Sequence, residues 1–171
     1  MKIVLVGYMG SGKTTVGKLL AKKMNLKFLD LDDYIEVSEE KSISKIFVEN
    51  GEIYFRKKEF QYLEEVLSNN DNVVLSTGGG TPCYGENMNT ILAATKNVFY
   101  IKVSIAELVE RLSLEKEHRP LIKDINDKEM AEFIGKHMFE RSYFYTKAHH
   151  TVTVNKNSVE EVVKNISEVL V

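Results

Sequence analysis

The chain has 171 residues, 43% apolar and 28% charged, with one cysteine, Cys83. A single domain of this length buries about 70% of its unfolded surface, so neither disulfides nor a structural metal is needed, and a disulfide scaffold is excluded. Twenty-three Lys and Arg against twenty-five Asp and Glu leave a formal charge of −2. That excludes a strong overall field for nucleic acid or an anionic membrane, so any basic site is local.

The start, Met1 to Gly7, carries one cation and five apolar residues before a glycine. It is too short for the apolar core of a signal peptide and reads as a buried first strand, Ile3 to Val6. No apolar run approaches the roughly 20 residues that span a bilayer. A cytoplasmic protein with no membrane partner is therefore expected. Further strands are expected at Lys27 to Asp30, Asn72 to Ser76, Val98 to Val103 and Thr151 to Val154. Helical patterns lie between them. The clearest is the last, where Val159, Val162, Val163, Ile166, Val169 and Leu170 form one stripe behind a Ser158/Glu161 capping box. Ser104 and Glu107 repeat the device before Leu108 and Leu112. Alternating strands and helices predict a three-layer α/β domain over residues 1–171, with a central parallel sheet of about five strands covered by helices on both faces. Two segments break the alternation. Asp33 to Leu67 is helical without a strand and reads as an insertion; Ser113 to Asp127 is charged and aperiodic and reads as an exposed mobile loop.

The strongest signal is Gly7-Tyr8-Met9-Gly10-Ser11-Gly12-Lys13-Thr14, which matches G-x-x-x-x-G-K-[ST] between a strand and a helical pattern. Glycines let backbone N–H groups turn inward and approach phosphate oxygens closely, and the helix N-terminus adds partial positive charge. Gly10, Ser11, Gly12, Lys13, Thr14 and Thr15 are the nucleotide-binding candidates. Lys13 reaches the β- and γ-phosphates, and the Thr14 hydroxyl is placed for Mg²⁺. Thr15 stands where a dinucleotide fingerprint needs Gly or Ala, which argues against a Rossmann cofactor. No aspartate is followed three residues later by glycine, and Asn155-Lys156-Asn157-Ser158 lacks the carboxylate that reads guanine, so a GTPase is also disfavoured.

The second strand ends in Asp30-Leu31-Asp32-Asp33. Strand alternation sends Asp30 and Asp32 to one face at the ligand-binding end of the sheet, one for a metal shell and one to orient an attacking hydroxyl. The competing reading is a helix cap, with Asp32 or Asp33 capping the helix that starts at Tyr34. The third strand runs into Gly78-Gly79-Gly80, which leave N–H groups open to an anionic or hydroxylated ligand. Ser76 stands where P-loop enzymes commonly place a metal-binding aspartate, so any role there is indirect.

With Phe55-Arg56, Arg119-Pro120-Leu121 and Arg141 through Tyr145 following in order, the sequence resembles the shikimate kinase family over nearly its whole length. The resemblance implies a P-loop fold like that of nucleoside-monophosphate kinases. It also implies transfer of the ATP γ-phosphate to the 3-hydroxyl of shikimate with Mg²⁺, a step in aromatic amino-acid biosynthesis. It places Asp32, Arg56, Gly79 and Arg141 on shikimate, with Gly78 and Gly80 beside them, and Asp30 and Thr14 on Mg²⁺. Arg119 would reach the phosphates from a lid over residues 113–127, Arg111 would pack against adenine, and Lys13, Asp32 and Arg119 would form the catalytic set.

The residue types suit those roles. A ring with one carboxylate and several hydroxyls calls for a fixed planar cation clamp, which guanidinium groups supply. Glu59, one helical turn after Arg56, is placed to hold it. Two departures stand out: His149 replaces the alanine of the family's final motif, and the loop at Asn155 to Ser158 lacks an arginine near adenine, leaving Lys156 as the available cation. Tyr8 and Met9 read as packing residues, His118 as a solvated loop residue, and His149 and His150 as structural. The alternatives are a kinase for gluconate or a nucleoside monophosphate, and a nucleotide-binding switch without an acceptor. No heptad seam is present, so a monomer is expected.

Overall fold

The computed structural model describes residues 1–170. Five strands form one all-parallel sheet: β1 (Lys2–Val6), β2 (Lys27–Asp30), β3 (Val73–Ser76), β4 (Val98–Val103) and β5 (His150–Val154), in the order β2-β3-β1-β4-β5. β1 and β3 are almost wholly buried, as continuous apolar runs in a covered parallel sheet must be. Strand order reverses at β1, so the crevice at its carboxyl end is where such sheets bind ligands.

Helices cover both faces, and the register shows it. Leu5 of β1 pairs with Phe99 of β4, so the two point the same way, and Leu5 faces helix α1 (Lys13–Met24) at Gly17. Tyr100, the next residue of β4, points to the opposite face and packs on Tyr145 of α6 (Asp127–Tyr145), with ring centroids 5.3 Å apart. Gly17 is required for this closeness: a Cβ there would lie 2.6 Å from Phe28 Cε2. On the first face α7 (Val159–Leu170) packs against α1. The apolar stripe buries Val162, Val163 and Ile166, and the Ser158/Glu161 box closes in both directions, at 3.2 and 2.8 Å.

The insertion consists of α2 (Leu31–Glu39) and α3 (Ile43–Asn69), starting two residues before and ending two after the expected bounds. Gly51, at φ 83° and ψ 172°, kinks α3, and it must be glycine for its φ rather than for space, since nothing crowds its Cβ position. Next come α4 (Asn87–Ala94) and α5 (Ile105–Leu114). Residues 113–127 are more ordered than an aperiodic loop. They hold a 3₁₀ turn at Lys116–His118, and Ile122 is fully buried as an apolar anchor between exposed neighbours. Among the described residues no helix is long and apolar enough to cross a membrane.

Candidate active site

The loop from Gly7 to Thr14 takes left-handed conformations at Gly10 (φ 76°) and Gly12 (φ 90°), which glycine alone adopts at little cost. Gly12 is the N-cap of α1, so the loop amides and the positive end of the helix point at one place. Lys13 lies against the floor of the loop. Its Nζ donates to the carbonyls of Gly7 (2.8 Å) and Tyr8 (2.9 Å). Burial lowers its pKa to about 8, against the pull of the Asp32 and Asp30 carboxylates.

β2 stops at Asp30, and the chain turns directly into α2. This corrects the argument from strand alternation, since Asp32 sits in the first helical turn. It also corrects the capping alternative: the cap is Asp30, whose Oδ1 accepts from the amides of Asp32 (3.0 Å) and Asp33 (3.5 Å). The Asp30 Oδ2 accepts from the Thr14 hydroxyl at 2.8 Å, tying β2 to the phosphate loop. Both aspartates nonetheless line the same cavity. Asp32 is pushed up to about 6, first by burial and then by the nearby Asp30 and Glu59 carboxylates, with Lys13 opposing.

The three glycines after β3 all have negative φ, so they serve close approach and not an unusual turn. A Cβ at Gly78 would lie 2.9 Å from Asp32 Oδ1, and one at Gly79 would lie 3.0 Å from the Met9 amide nitrogen. At Gly80 a Cβ would lie 3.2 Å from Arg56 Nη2 and 3.3 Å from Arg141 Nη2. The glycine run therefore brings Asp32, the phosphate loop and both arginines against one stretch of backbone. Arg56 Nη1 donates to Glu59 at 2.8 Å, as its helical spacing predicts. Glu59 is 1% exposed, and its other oxygen accepts from the Thr81 hydroxyl at 2.8 Å. Arg141 makes no ion pair with any described carboxylate. Arg56 thus has the buried Glu59 and, at 3.7 Å, the more exposed Glu52 as carboxylate partners, while the Arg141 guanidinium beside it has none.

A cavity of about 540 Å³ runs from Asp32, Thr77, Gly78 and Gly79 past Gly10 to Thr15 and on to Arg111, Val154, Asn157, Val159 and Val162. Arg56, Gly80 and Arg141 lie beyond its Gly79 end. Arg111 donates to the Gly10 carbonyl (3.2 Å) and pairs with Glu107, which braces the loop from α5. That pairing explains why the Ser104/Glu107 box is only half made: Ser104 caps the Glu107 amide, but the Glu107 carboxylate is taken by Arg111 and the Lys156 amide. Asn157, not Lys156, lines the far end of the cavity; the Lys156 side chain is exposed. Arg119 also lines the cavity and is held by Glu115, with Nε at 2.9 Å and Nη2 at 2.6 Å.

Sequence reasoning missed two braces. The Tyr8 hydroxyl is 2.7 Å from His137 Nδ1, linking the phosphate loop to α6 one turn before Arg141. Burial, then the Arg141 charge, lowers His137 to about 4, so it is neutral at physiological pH. The Tyr145 hydroxyl donates to the Gly79 carbonyl at 2.5 Å, fixing the middle glycine. Each pair spans 66 or more residues, so no local pattern announces it. Ser76 is buried, is the register partner of Asp30, and its Oγ has no hydrogen-bond partner.

The sequence model of the shikimate kinase family matches residues 9–171. The chain is 45% identical to the shikimate kinase of Flavobacterium psychrophilum and 47% identical to that of Parabacteroides distasonis, in each case over 99% of this chain and at least 96% of the relative. Among solved structures it is similar to shikimate kinase from Bacteroides thetaiotaomicron, with a TM-score of 0.91 and 38% identity over 99% of this chain and 98% of that one. It is also similar to the Acinetobacter baumannii shikimate kinase solved in complex with shikimate, with a TM-score of 0.85 and 31% identity over 99% and 92%. A phosphate loop facing an aspartate, with a doubly cationic corner behind it, is the arrangement that this kinship makes intelligible: the chain belongs to the shikimate kinase family.

Proposed function

We propose that the chain transfers the γ-phosphate of ATP to the 3-hydroxyl of shikimate within one domain, α2 and α3 serving as acceptor-binding insertion and residues 113–127 as lid. The observation that carries the reading is the unpaired guanidinium of Arg141 set beside Arg56 around Gly80, reached from the phosphate loop through Gly79 and Asp32. A small acceptor with one carboxylate neutralises that corner. Its hydroxyl then faces Asp32, which accepts the hydroxyl hydrogen and orients the oxygen for in-line attack. Lys13, the loop amides and Arg119 neutralise charge on the transferring phosphoryl. Arg111, Asn157 and the valines at the far end leave room for the base.

The donor set fits Mg²⁺. Among the described residues no three His, Cys, Asp or Glu side chains converge on a metal position, so a divalent ion here draws most of its ligands from phosphate and water, as Mg²⁺ does. Thr14 and Asp30 would hold it, with the orphaned Ser76 Oγ beneath as a partner for a bound water. When bound it would supply neutralisation of charge on the triphosphate.

Arg141→Ala is expected to raise the KM for shikimate at least tenfold while leaving ATP binding near normal. Weakened ATP binding at normal shikimate KM would contradict the assignment. Gly80→Ala is expected to raise the same KM by about tenfold, because the added Cβ must part the two guanidiniums. Unchanged kinetics would mean that the clamp is not held at this spacing. A coupled assay across shikimate, gluconate and a nucleoside monophosphate separates the remaining acceptors, and turnover with shikimate alone is expected.

A further inference from the structure

We propose that Tyr84 is a positioning residue for the acceptor carboxylate: its ring fixes the plane of the Arg56 guanidinium. The inference rests on the reading of Arg56 as a carboxylate clamp. Tyr84 directly follows the 3₁₀ turn Thr81–Cys83 that leaves the glycine run. The Arg56 Cζ lies 3.6 Å from the centre of its ring, against 5.1 Å for Phe55, a separation at which a guanidinium rests on an aromatic face.

The rest of the Arg56 environment leaves a gap that the ring fills. Glu59 holds Nη1 and so limits rotation within the guanidinium plane. Nε is buried and has no hydrogen-bond partner. Nη2 donates to no described residue and faces the Gly80 backbone, where a ligand oxygen can take it. Of the groups around it, the Tyr84 ring is the one stacked closely on the plane, with Phe55 farther off, and so it is the main restraint on tilting. Beside the stacked pair lies a groove of about 610 Å³ whose lining includes Tyr84 itself along with Glu52, Ile53 and Phe60, and the Glu52 carboxylate is already 3.7 Å from Arg56 Nε. Without the ring, the guanidinium is free to tip toward Glu52 and away from the acceptor. The Tyr84 hydroxyl bonds to no described residue, so the face of the ring, and not its polar tip, does the positioning.

The test is steady-state kinetics on Tyr84→Ala, Tyr84→Leu and Tyr84→Phe, with Arg56→Lys as the reference. Tyr84→Ala and Tyr84→Leu are expected to raise the shikimate KM by about 3- to 30-fold, the range of a guanidinium–aromatic contact, with kcat within about twofold and the ATP KM unchanged. Tyr84→Phe is expected to match the wild type. Leucine fills the space without offering a π face, so a role in packing alone predicts that Leu rescues as well as Phe, and that result overturns the proposal. A wild-type shikimate KM in Tyr84→Leu overturns it equally, and this variant serves alone if Tyr84→Ala does not fold. Loss of affinity in Tyr84→Phe would overturn the assignment of the effect to the ring face. If Arg56→Lys leaves the shikimate KM unchanged, the clamp reading itself fails; if Arg56→Lys weakens the acceptor and no Tyr84 variant does, the clamp stands and the Tyr84 proposal alone falls.

Discussion

Asp32→Asn is expected to lower kcat for phosphate transfer to shikimate by about 10²–10⁴-fold, the range for losing a positioned proton acceptor. The substitution keeps the size of the side chain and its place in the first turn of α2, so the loss of activity is one of chemistry and not of failed folding. The pH dependence gives an independent reading. Burial, then the Asp30, Glu59 and Glu36 carboxylates, raise the Asp32 pKa to about 6, and only the ionised form accepts the hydroxyl hydrogen. Wild-type kcat/KM is therefore expected to rise with pH through about 6, and the Asn variant should lose that limb. The stability effect has the opposite sign. A carboxyl whose folded pKa lies above its unfolded value binds its proton more tightly in the folded state, so its contribution is present at low pH and is lost as pH rises through about 6. At pH 7–8 the ionised Asp32 therefore costs on the order of 3 kcal/mol. Asp32→Asn should raise Tm by several degrees at neutral pH and by little at pH 4. A variant with full activity and an unchanged acid limb would remove Asp32 from the mechanism.

Arg119→Ala is expected to lower kcat by about 10²–10³-fold, the effect of removing one preorganised donor from a transition state whose charge is spread over phosphoryl oxygens. In the structure its guanidinium is paired with Glu115 at the rim of the nucleotide cavity. The two side chains are 32% and 52% exposed, and exposed pairs of this kind contribute little, about 0–1 kcal/mol. Transfer of Arg119 from Glu115 to a phosphate therefore meets little resistance. Single-turnover measurements at saturating substrates check the prediction; an unchanged rate would mean that Arg119 does not reach the phosphoryl group.

The legible parts of the molecule were those with local signals. The strands of the buried sheet showed as apolar runs, and β2 and β4 fall at the expected residues. The phosphate loop, the Ser158/Glu161 box and the Arg56–Glu59 pair are all short-range, set by φ, by capping geometry or by helical spacing. Asp30 was less legible because sequence does not fix where β2 yields to α2, and one residue decides between a strand face and a helix cap. Gly51 sits inside a helical pattern whose periodicity carries no mark of the kink. Glu107 satisfied the capping pattern, yet tertiary partners claimed its carboxylate. The Tyr8–His137 and Tyr145–Gly79 braces and the Arg56–Tyr84 stack join distant segments, and only the fold brings them together.

The central claim is that one end of the acceptor is pinned through its carboxylate while the other end presents its alcohol to Asp32. The most direct measurement compares kcat/KM for shikimate with that for its neutral carboxamide, in the wild type and in Arg141→Ala. The wild type is expected to prefer shikimate by about 100-fold or more and the variant to lose most of that preference, since a charge-assisted pair is what distinguishes the two acceptors. Equal discrimination in both proteins would contradict it.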